Sequence, residues 1–286
     1  MKNHFLLIPI LAFALSCAKD KTYAPANTTP ACLITEIKDS ATGQLINTFE
    51  YDANRRATKI ITYNAGILGI IKSFTYSSNT VSWQNSDANL IPDGPSFSGE
   101  LNNDGNLKSY NTAQFPVVPG QTWADSNTAT YTVDKKVLTL KYRRSIRLGG
   151  SNTISSILIY DLACTYTGGR LTKLAVTSGS SNSPPRLAYI SEYFYSESYP
   201  AVKYNPVLYS VFKELPLVYL GSPMADKIPE KMVVISSGGN APDTISYSYS
   251  ATVDTKGFPV KIRTEIRTTS LANPITSTKL YTYTCP

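Results

Sequence analysis

Short runs of alternating apolar and polar residues recur from Cys32 to the end of the chain. The runs are rich in Thr, Tyr, Val, Ile and Ser, and Asn, Asp and Gly separate them. Alternation with a period of two residues is typical of strands that bury one face, and the separating residues are typical of turns. The pattern therefore predicts an all-β chain of consecutive hairpins. The predicted strands include 43–52, 57–63, 72–83, 136–148, 153–166, 230–236, 244–254, 259–267 and 276–285.

One segment departs from this alternation. The stretch NPVLYSVFKEL, residues 205–215, begins with Asn and Pro and places Leu208, Val211, Phe212 and Leu215 on one side. An Asn followed by Pro is typical of a helix start, and this spacing is typical of an amphipathic helix. We therefore expect a strongly curved antiparallel sheet, a meander shaped like half a barrel, with one short helix packed against it.

A loose motif repeats at the predicted hairpin tips: an aromatic or apolar residue, a polar turn residue, and then Gly or a substitute before the next strand. It occurs at 51–60, 101–110, 166–174 and 253–262. An Asp or Asn side chain can accept hydrogen bonds from turn backbone N–H groups, and Gly adopts the left-handed conformation that reverses the chain. The motif therefore predicts tight turns at these places.

The ordered set of tips resembles the YD-type hairpins of Rhs-like proteins. It is more similar still to a family of uncharacterised Bacteroidetes-type cell-envelope lipoproteins with a domain of unknown function. The segments FEYDANRRATKI, FTYSSNTVSW, GELNNDGNLKSY and TVDTKGFPVKI follow that family's pattern in order and cover most of 45–265. The resemblance implies a curved antiparallel sheet and a location in the cell envelope, and it implies no activity.

The N-terminus carries the features of an export signal. Lys2 precedes the uncharged run Phe5–Leu15, which is shorter than the roughly 20 residues that a membrane-spanning helix needs. A basic start, a short apolar run and a small-residue site indicate a secretory signal peptide. Ser16 directly before Cys17 resembles the lipobox of bacterial lipoproteins, in which the cysteine is acylated, although Ala14 stands where that motif usually has Leu.

These features predict the domain organisation. We expect a signal peptide at 1–16, a lipidated Cys17 followed by a tether to residue 30, and a single β-rich domain at 31–286. Secretion without an anchor is the alternative. The lipid makes the outer membrane the expected partner. The residues after Cys17 contain little of the acidic run associated with surface display, so periplasmic and cell-surface orientations both stay open.

Cleavage after residue 16 would remove His4, which is the only histidine. The mature chain therefore lacks the imidazole needed for Ser-His-Asp or Cys-His nucleophiles and for histidine-ligated zinc. We expect no metal, no cofactor and no enzymatic activity. The enzymatic alternative is a carboxylate-dependent glycoside hydrolase. Its candidate carboxylates are Asp161, Glu192 and Glu197, but their spacing in the sequence does not identify a catalytic pair.

Three cysteines follow Cys17. Cys32 opens the predicted domain and Cys285 closes it, and an exported protein can form disulfides, so a Cys32–Cys285 bridge is possible. Cys164 lies in an apolar strand and is expected to be a small buried residue.

Aromatic residues are concentrated between Tyr189 and Tyr219, where nine occur. Tyrosines in this stretch could stack on sugar rings or line an apolar pocket. The other interpretation is that the stretch and its helix plug an open face of the sheet. The candidate ligand-binding tyrosines are Tyr193, Tyr195, Tyr199 and Tyr204.

Two strands carry basic residues at alternate positions. Lys141, Arg143 and Arg147 share one face of the first, and Lys261 and Arg263 share one face of the second. If the strands were adjacent, they would form a cationic patch for phosphate or acidic sugars. The alternative is an ordinary solvated face. The net charge of +7 falls to +6 without Lys2, which favours anionic lipid or glycan neighbours. Export argues against nucleic acid.

The sequence therefore predicts a non-enzymatic cell-envelope lipoprotein that binds a glycan or another envelope polymer, or supports it structurally. Two alternatives stay open. One is a carrier of lipids or lipoproteins with an apolar cavity, and the other is an accessory subunit of an envelope complex.

Overall fold

The computed structural model describes residues 32–54, 56–103, 107–112, 115–118, 121–132, 136–148, 154–197, 227–237, 243–269 and 271–285. These residues contain seventeen strands and no helix, and the chain from Cys32 onward forms one compact unit. Within these ranges, no helix has the length and apolar character needed to cross a membrane. The predicted signal peptide, Cys17, the tether and the predicted helix at 205–215 lie outside the described residues.

The strands follow one another along the chain. The first nine are β1 (Leu33–Asp39), β2 (Leu45–Tyr51), β3 (Ala57–Asn64), β4 (Ile67–Ser77), β5 (Thr80–Ser86), β6 (Pro92–Leu101), β7 (Leu107–Thr112), β8 (Phe115–Val118) and β9 (Gln121–Tyr131). The others are β10 (Val137–Leu148), β11 (Ile154–Thr167), β12 (Arg170–Ser180), β13 (Ser183–Phe194), β14 (Lys231–Ser236), β15 (Asp243–Val253), β16 (Pro259–Thr268) and β17 (Ile275–Thr284).

The strands pair antiparallel in a closed ring. Each hairpin pairs with the next, and β1 pairs with both β2 and β17. Strands β7 and β8 pair with opposite halves of β9 and share one place in the ring, so seventeen strands make a barrel of sixteen positions. The predicted all-β class and consecutive antiparallel hairpins are confirmed. The predicted half-barrel is wrong, because pairing of β1 with β17 leaves neither as an open edge.

The connections alternate between two ends of the barrel. We call one the disulfide end, because a disulfide joins Cys32 to Cys285 there, beside the start of β1 and the end of β17. The β2–β3, β4–β5, β6–β7, β9–β10, β11–β12 and β15–β16 turns lie at this end. We call the other the mouth end, and the β1–β2, β3–β4, β5–β6, β10–β11, β12–β13 and β16–β17 connections lie there.

The interior near the disulfide end is filled with apolar side chains. Val81, Leu107, Val137 and Leu171 each follow a turn at this end and are almost completely buried, as is Phe258. Buried side chains from strands all round the ring form one contiguous cluster with them. Barrels of 16–18 strands in porins leave an aqueous channel. This barrel instead fills its disulfide end with a packed core.

Tyrosine hydrogen bonds give the repeated hairpin motif a structural role. Six tyrosines at the ends of strands donate their phenolic O–H to a backbone carbonyl at the start of the neighbouring strand. The pairs are Tyr51–Ile34, Tyr76–Ala57, Tyr131–Leu107, Tyr166–Val137, Tyr195–Leu171 and Tyr283–Pro259. Burial raises the pKa of Tyr51, Tyr76, Tyr166 and Tyr283, so these phenols stay protonated donors. These six tyrosines, of which Tyr51 and Tyr166 belong to the repeated motif, therefore tie adjacent strands together at the disulfide end.

Aspartate side chains organise two of the turns at this end. The Asp254 Oδ1 atom accepts hydrogen bonds from the Lys256 N–H at 2.9 Å and the Phe258 N–H at 2.8 Å, and Gly257 has a φ of 85°. Asp52 Oδ1 accepts from the Arg56 N–H at 2.8 Å. This is the local chemistry expected of Asp and Gly in a tight turn.

The outer face of the wall is largely polar. Register assigns to it the residues that alternate with the buried ones, for example Ser126 and Thr128 of β9, Ser246 and Ser248 of β15, and the basic residues of β16. Outward apolar residues lie among them, for example Ile157 and Ile159 of β11, Ile190 of β13 and Ile235 of β14. A membrane-spanning barrel presents an apolar band about 25 Å tall around its whole circumference. The polar and charged residues of β9, β15 and β16 would interrupt such a band.

The cysteines allow a direct test of this fold. Cys164 is a free, buried thiol, and burial raises its pKa to about 12, so it should be unreactive in the native state. In a Cys17→Ser protein we expect a thiol reagent to label no cysteine before unfolding. In denaturant it should label Cys164 alone, because Cys32 and Cys285 are bonded. Fast labelling of the native protein would contradict the buried position.

Candidate ligand-binding site

The interior near the mouth end is open to solvent, in contrast to the packed core. Cross-strand partners share a face of the sheet, so register identifies the inward-facing residues. Of these, Thr62, Arg186 and Ser277 are exposed, and Tyr160 is 41% exposed. Side chains on the inner wall can therefore be reached from the mouth.

One row of inward-facing residues crosses five neighbouring strands. It runs from Asn127 on β9 through Tyr142, Tyr160 and Ser178 to Arg186 on β13. The Tyr142 and Tyr160 ring centroids lie 5.8 Å apart. Neighbouring strands are about 4.8 Å apart, so four intervals give a row roughly 19 Å long. The row begins at a buried amide and ends at an exposed guanidinium.

An ion pair lies next to this row on the same wall. The Arg144 Nε and Nη2 atoms donate to the Asp125 Oδ1 and Oδ2 atoms at 2.8 and 2.9 Å. Asp125 is buried, whereas the Arg144 side chain is 36% exposed. The Arg144 guanidinium also lies over the Trp123 ring, 4.1 Å from its centroid. Two parallel hydrogen bonds and a stacked ring hold a guanidinium in one orientation.

We call Trp123, Asp125, Tyr142, Arg144 and Tyr160 the inner-wall cluster. The hydrogen bond to Asp125 raises the pKa of Arg144, so its charge is constant. Burial, followed by the hydrogen bond with Asp125, raises the pKa of Tyr142, so this phenol stays neutral. The cluster therefore offers aromatic faces, a neutral phenol and a fixed cationic donor.

This combination suits binding. Aromatic faces stack on ring-shaped ligands, and guanidinium donors match hydroxyl or carboxylate acceptors. Mouths of β-barrels are common ligand sites. Within the described ranges, no group of three or more His, Cys, Asp or Glu residues could hold a metal ion. The wall can therefore bind a polar, ring-containing ligand.

The predicted tyrosines take structural positions where they are described. Tyr193 is 4% exposed in the core, and the Tyr195 hydroxyl donates to the Leu171 carbonyl at 2.9 Å. Neither presents a ring to the inner wall near the mouth. Tyr199 and Tyr204 lie outside the described residues.

The predicted basic faces exist but are not adjacent. Lys141, Arg143 and Arg147 share the outer face of β10, and Lys261 and Arg263 share the outer face of β16. Strand β10 pairs with β9 and β11, whereas β16 pairs with β15 and β17. The condition for a joint cationic patch is therefore not met, because other strands separate the two faces around the ring.

Two of the carboxylates considered for catalysis are engaged in ion pairs. Asp161 binds Arg143, with the Nη1 and Oδ1 atoms 2.6 Å apart. Glu197 binds Lys227 at 2.8 Å and Arg170 at 2.7 Å. Hydrogen bonds from Lys227 and then Arg170 lower the pKa of Glu197 to about 2. A carboxyl group with so low a pKa is ionised at neutral pH and unsuited to general acid catalysis.

The sequence pattern singled out the basic residues on one face of β10 and did not reveal the inner-wall cluster on the other. Arg144 stands on that face between Tyr142 and Ile146, and Asp125 stands at the facing position of β9. A signal was present: two consecutive strands each carry one ionisable residue of opposite charge at an inward position. Such residues are rarely buried unless they are paired.

Comparisons with known proteins give the fold and no family. No protein-family model matches the sequence, and no curated protein matches it. Among solved structures, the chain resembles a porin-like protein from Bacteroides vulgatus ATCC 8482, with a TM-score of 0.54 and 15% identity over 86% of this chain and 97% of the other. It also resembles a porin-like protein from Bacteroides uniformis ATCC 8492, with a TM-score of 0.55 and 14% identity over 87% and 96% of the two chains.

Likeness at this level of identity establishes a shared fold alone. Both proteins come from Bacteroides, which is consistent with the Bacteroidetes-type resemblance of the hairpin tips. The chain has the same all-β, antiparallel architecture as these two porin-like proteins.

Proposed function

We propose that this protein is a non-enzymatic binding protein of the bacterial cell envelope. Its ligand is a glycan, or a glycan-bearing polymer, that enters through the mouth end and binds the inner-wall cluster. The observation that carries this proposal is the accessible wall formed by Trp123, Tyr142 and Tyr160 around the fixed guanidinium of Arg144. Sugar rings present apolar faces and hydroxyl edges, which match such a wall.

The envelope location rests on separate observations. The N-terminus has the features of an export signal, and Ser16-Cys17 resembles a lipobox, which supports anchoring at the outer membrane through acylated Cys17. The porin-like fold neighbours from Bacteroides agree with an envelope protein.

A channel is a poorer fit to the structure, despite the name given to the fold neighbours. Polar and charged residues stand on the described outer face of β9, β10, β15 and β16, and the packed core occupies the disulfide end. Porins have an apolar outer band and an aqueous passage. A carrier with an apolar cavity is also a poorer fit, because the buried apolar side chains of the described interior pack against one another in a single core cluster.

The test is binding of soluble envelope oligosaccharides to the Cys17→Ser protein, measured by calorimetry. Tyr160→Ala should weaken binding roughly 2- to 12-fold, because an aromatic stack contributes about 0.5–1.5 kcal/mol. Phe194→Ala is the matched control, since Phe194 is 49% exposed but lies on the outer face beside Lys231. Equal effects of the two substitutions would reject the inner wall as the site.

A further inference from the structure

In the part of the chain that the structure describes, most exposed large apolar side chains lie at one end of the barrel. Among the described residues, nine of the thirteen lie near the mouth, including Ile67 at 74% and Leu90 at 71% exposure. They occupy the β3–β4, β5–β6, β10–β11, β12–β13 and β16–β17 connections and their flanking strand ends. We call six of them, which represent four of these connections, the apolar rim: Ile67, Leu90, Ile91, Leu148, Ile154 and Ile275.

At least one part of the rim is an ordered structure. In the β5–β6 connection, the Asp87 Oδ1 atom accepts hydrogen bonds from the Asn89 and Ile91 N–H groups, both at 2.9 Å. Leu90 has a φ of 62°, a conformation that is uncommon for a residue with a side chain. The connection therefore holds two aliphatic side chains outward at a cost in backbone energy.

The distribution of the rim indicates what it contacts. Exposed apolar side chains that are grouped together, as the adjacent Leu90 and Ile91 are, mark protein or membrane contacts. The rim residues are aliphatic and uncharged and are spread around the mouth, so they suit a flat apolar layer. Inside the rim, the wall carries the polar and aromatic side chains of the inner-wall cluster. A glycolipid has an apolar lipid part and a polar sugar headgroup. The apolar rim matches the first, and the inner-wall cluster matches the second.

We propose that the mouth docks on the surface of a lipid bilayer and that the inner-wall cluster binds the sugar headgroup of a membrane glycolipid. The sugar part of this proposal rests on the proposed function, whereas the docking part rests on the rim alone. The headgroup enters the mouth while the rim side chains contact the acyl region beside it.

The length of the chain before the barrel permits this geometry. Cys32 is fifteen positions after Cys17 in the sequence. An extended chain of that length reaches about 50 Å. A strand of twelve residues such as β10 rises at most about 40 Å. A lipid on Cys17 therefore leaves the mouth able to reach the same bilayer.

The test uses Cys17→Ser protein and co-sedimentation with phosphatidylcholine vesicles, with and without bacterial lipopolysaccharide. The oligosaccharide released from the same lipopolysaccharide serves as the soluble probe. We expect binding to plain vesicles and stronger binding when lipopolysaccharide is present. Leu90→Asn with Ile91→Asn should weaken binding to both vesicles by about tenfold or more and leave binding of the soluble oligosaccharide unchanged. Tyr160→Ala should remove only the gain from lipopolysaccharide.

Leu138→Asn is the matched control, because Leu138 is 41% exposed on the outer wall beside the disulfide end. It should leave vesicle binding unchanged. Vesicle binding that the rim substitutions do not weaken would overturn the docking. Binding of the soluble oligosaccharide without any gain from lipopolysaccharide in vesicles would overturn the membrane source but spare the proposed function. Vesicle binding with no response to either form of the sugar would reject the proposed function and the headgroup with it.

Discussion

Leu140→Ala is expected to lower the free energy of unfolding by about 2.5–5 kcal/mol. Leu140 is fully buried, and register places it between Ala129 of β9 and Leu162 of β11 on the inner face. Truncation removes three carbon atoms from the packed core and leaves a cavity that the surrounding strands can only partly fill. Urea denaturation of the Cys17→Ser protein and of the variant, followed by circular dichroism, measures the loss.

Leu138→Ala supplies the comparison on the same strand. Leu138 is 41% exposed, so the same truncation should cost less than about 1 kcal/mol. The difference between the two leucines tests which face of β10 is inside the barrel. Equal losses, or a larger loss at Leu138, would mean that the register of β10 is wrong.

Removal of the Cys32–Cys285 disulfide is expected to destabilise the fold by about 2–5 kcal/mol. The two cysteines are 253 residues apart, so the bond restricts nearly the whole unfolded chain. It also lies beside the β1–β17 pairing that closes the ring. The double variant Cys32→Ser, Cys285→Ser should therefore unfold at a clearly lower urea concentration than the parent protein.

A reducing agent provides the control for this result. It should lower the stability of the parent protein and have no further effect on the double variant. Cys164→Ala should keep the response to reductant, because Cys164 is a free thiol. A parent protein whose unfolding is indifferent to reductant would show that the bond contributes nothing to stability.

The described residues of the repeated hairpin motif form hydrogen bonds that stabilise the fold rather than bind a ligand. Tyrosines such as Tyr51 and Tyr166 bind backbone carbonyls of the neighbouring strand, and Asp254 binds the N–H groups of its own turn. Both roles are structural and are satisfied within the barrel. These residues of the motif therefore stabilise hairpins and carry no information about a ligand.

The candidate site arises differently, from residues with no local signature. Arg144 and Asp125 are 19 residues apart in sequence, and Tyr160 lies on a third strand. Each occupies an ordinary alternating position in its own strand. Only the cross-strand register of β9, β10 and β11 places them side by side on the inner wall.

What the sequence by itself determined is local: a period of two residues for the strands, Asp and Gly at tight turns, and apolar residues on one face of each strand. These properties depend on neighbours within a few positions, so the residues reveal them directly. Closure of the ring, the apolar rim and the inner-wall cluster depended on the tertiary structure. They require pairing between strands as distant as β1 and β17, and an open meander and a closed barrel share the same alternating pattern until that last pair of edges meets.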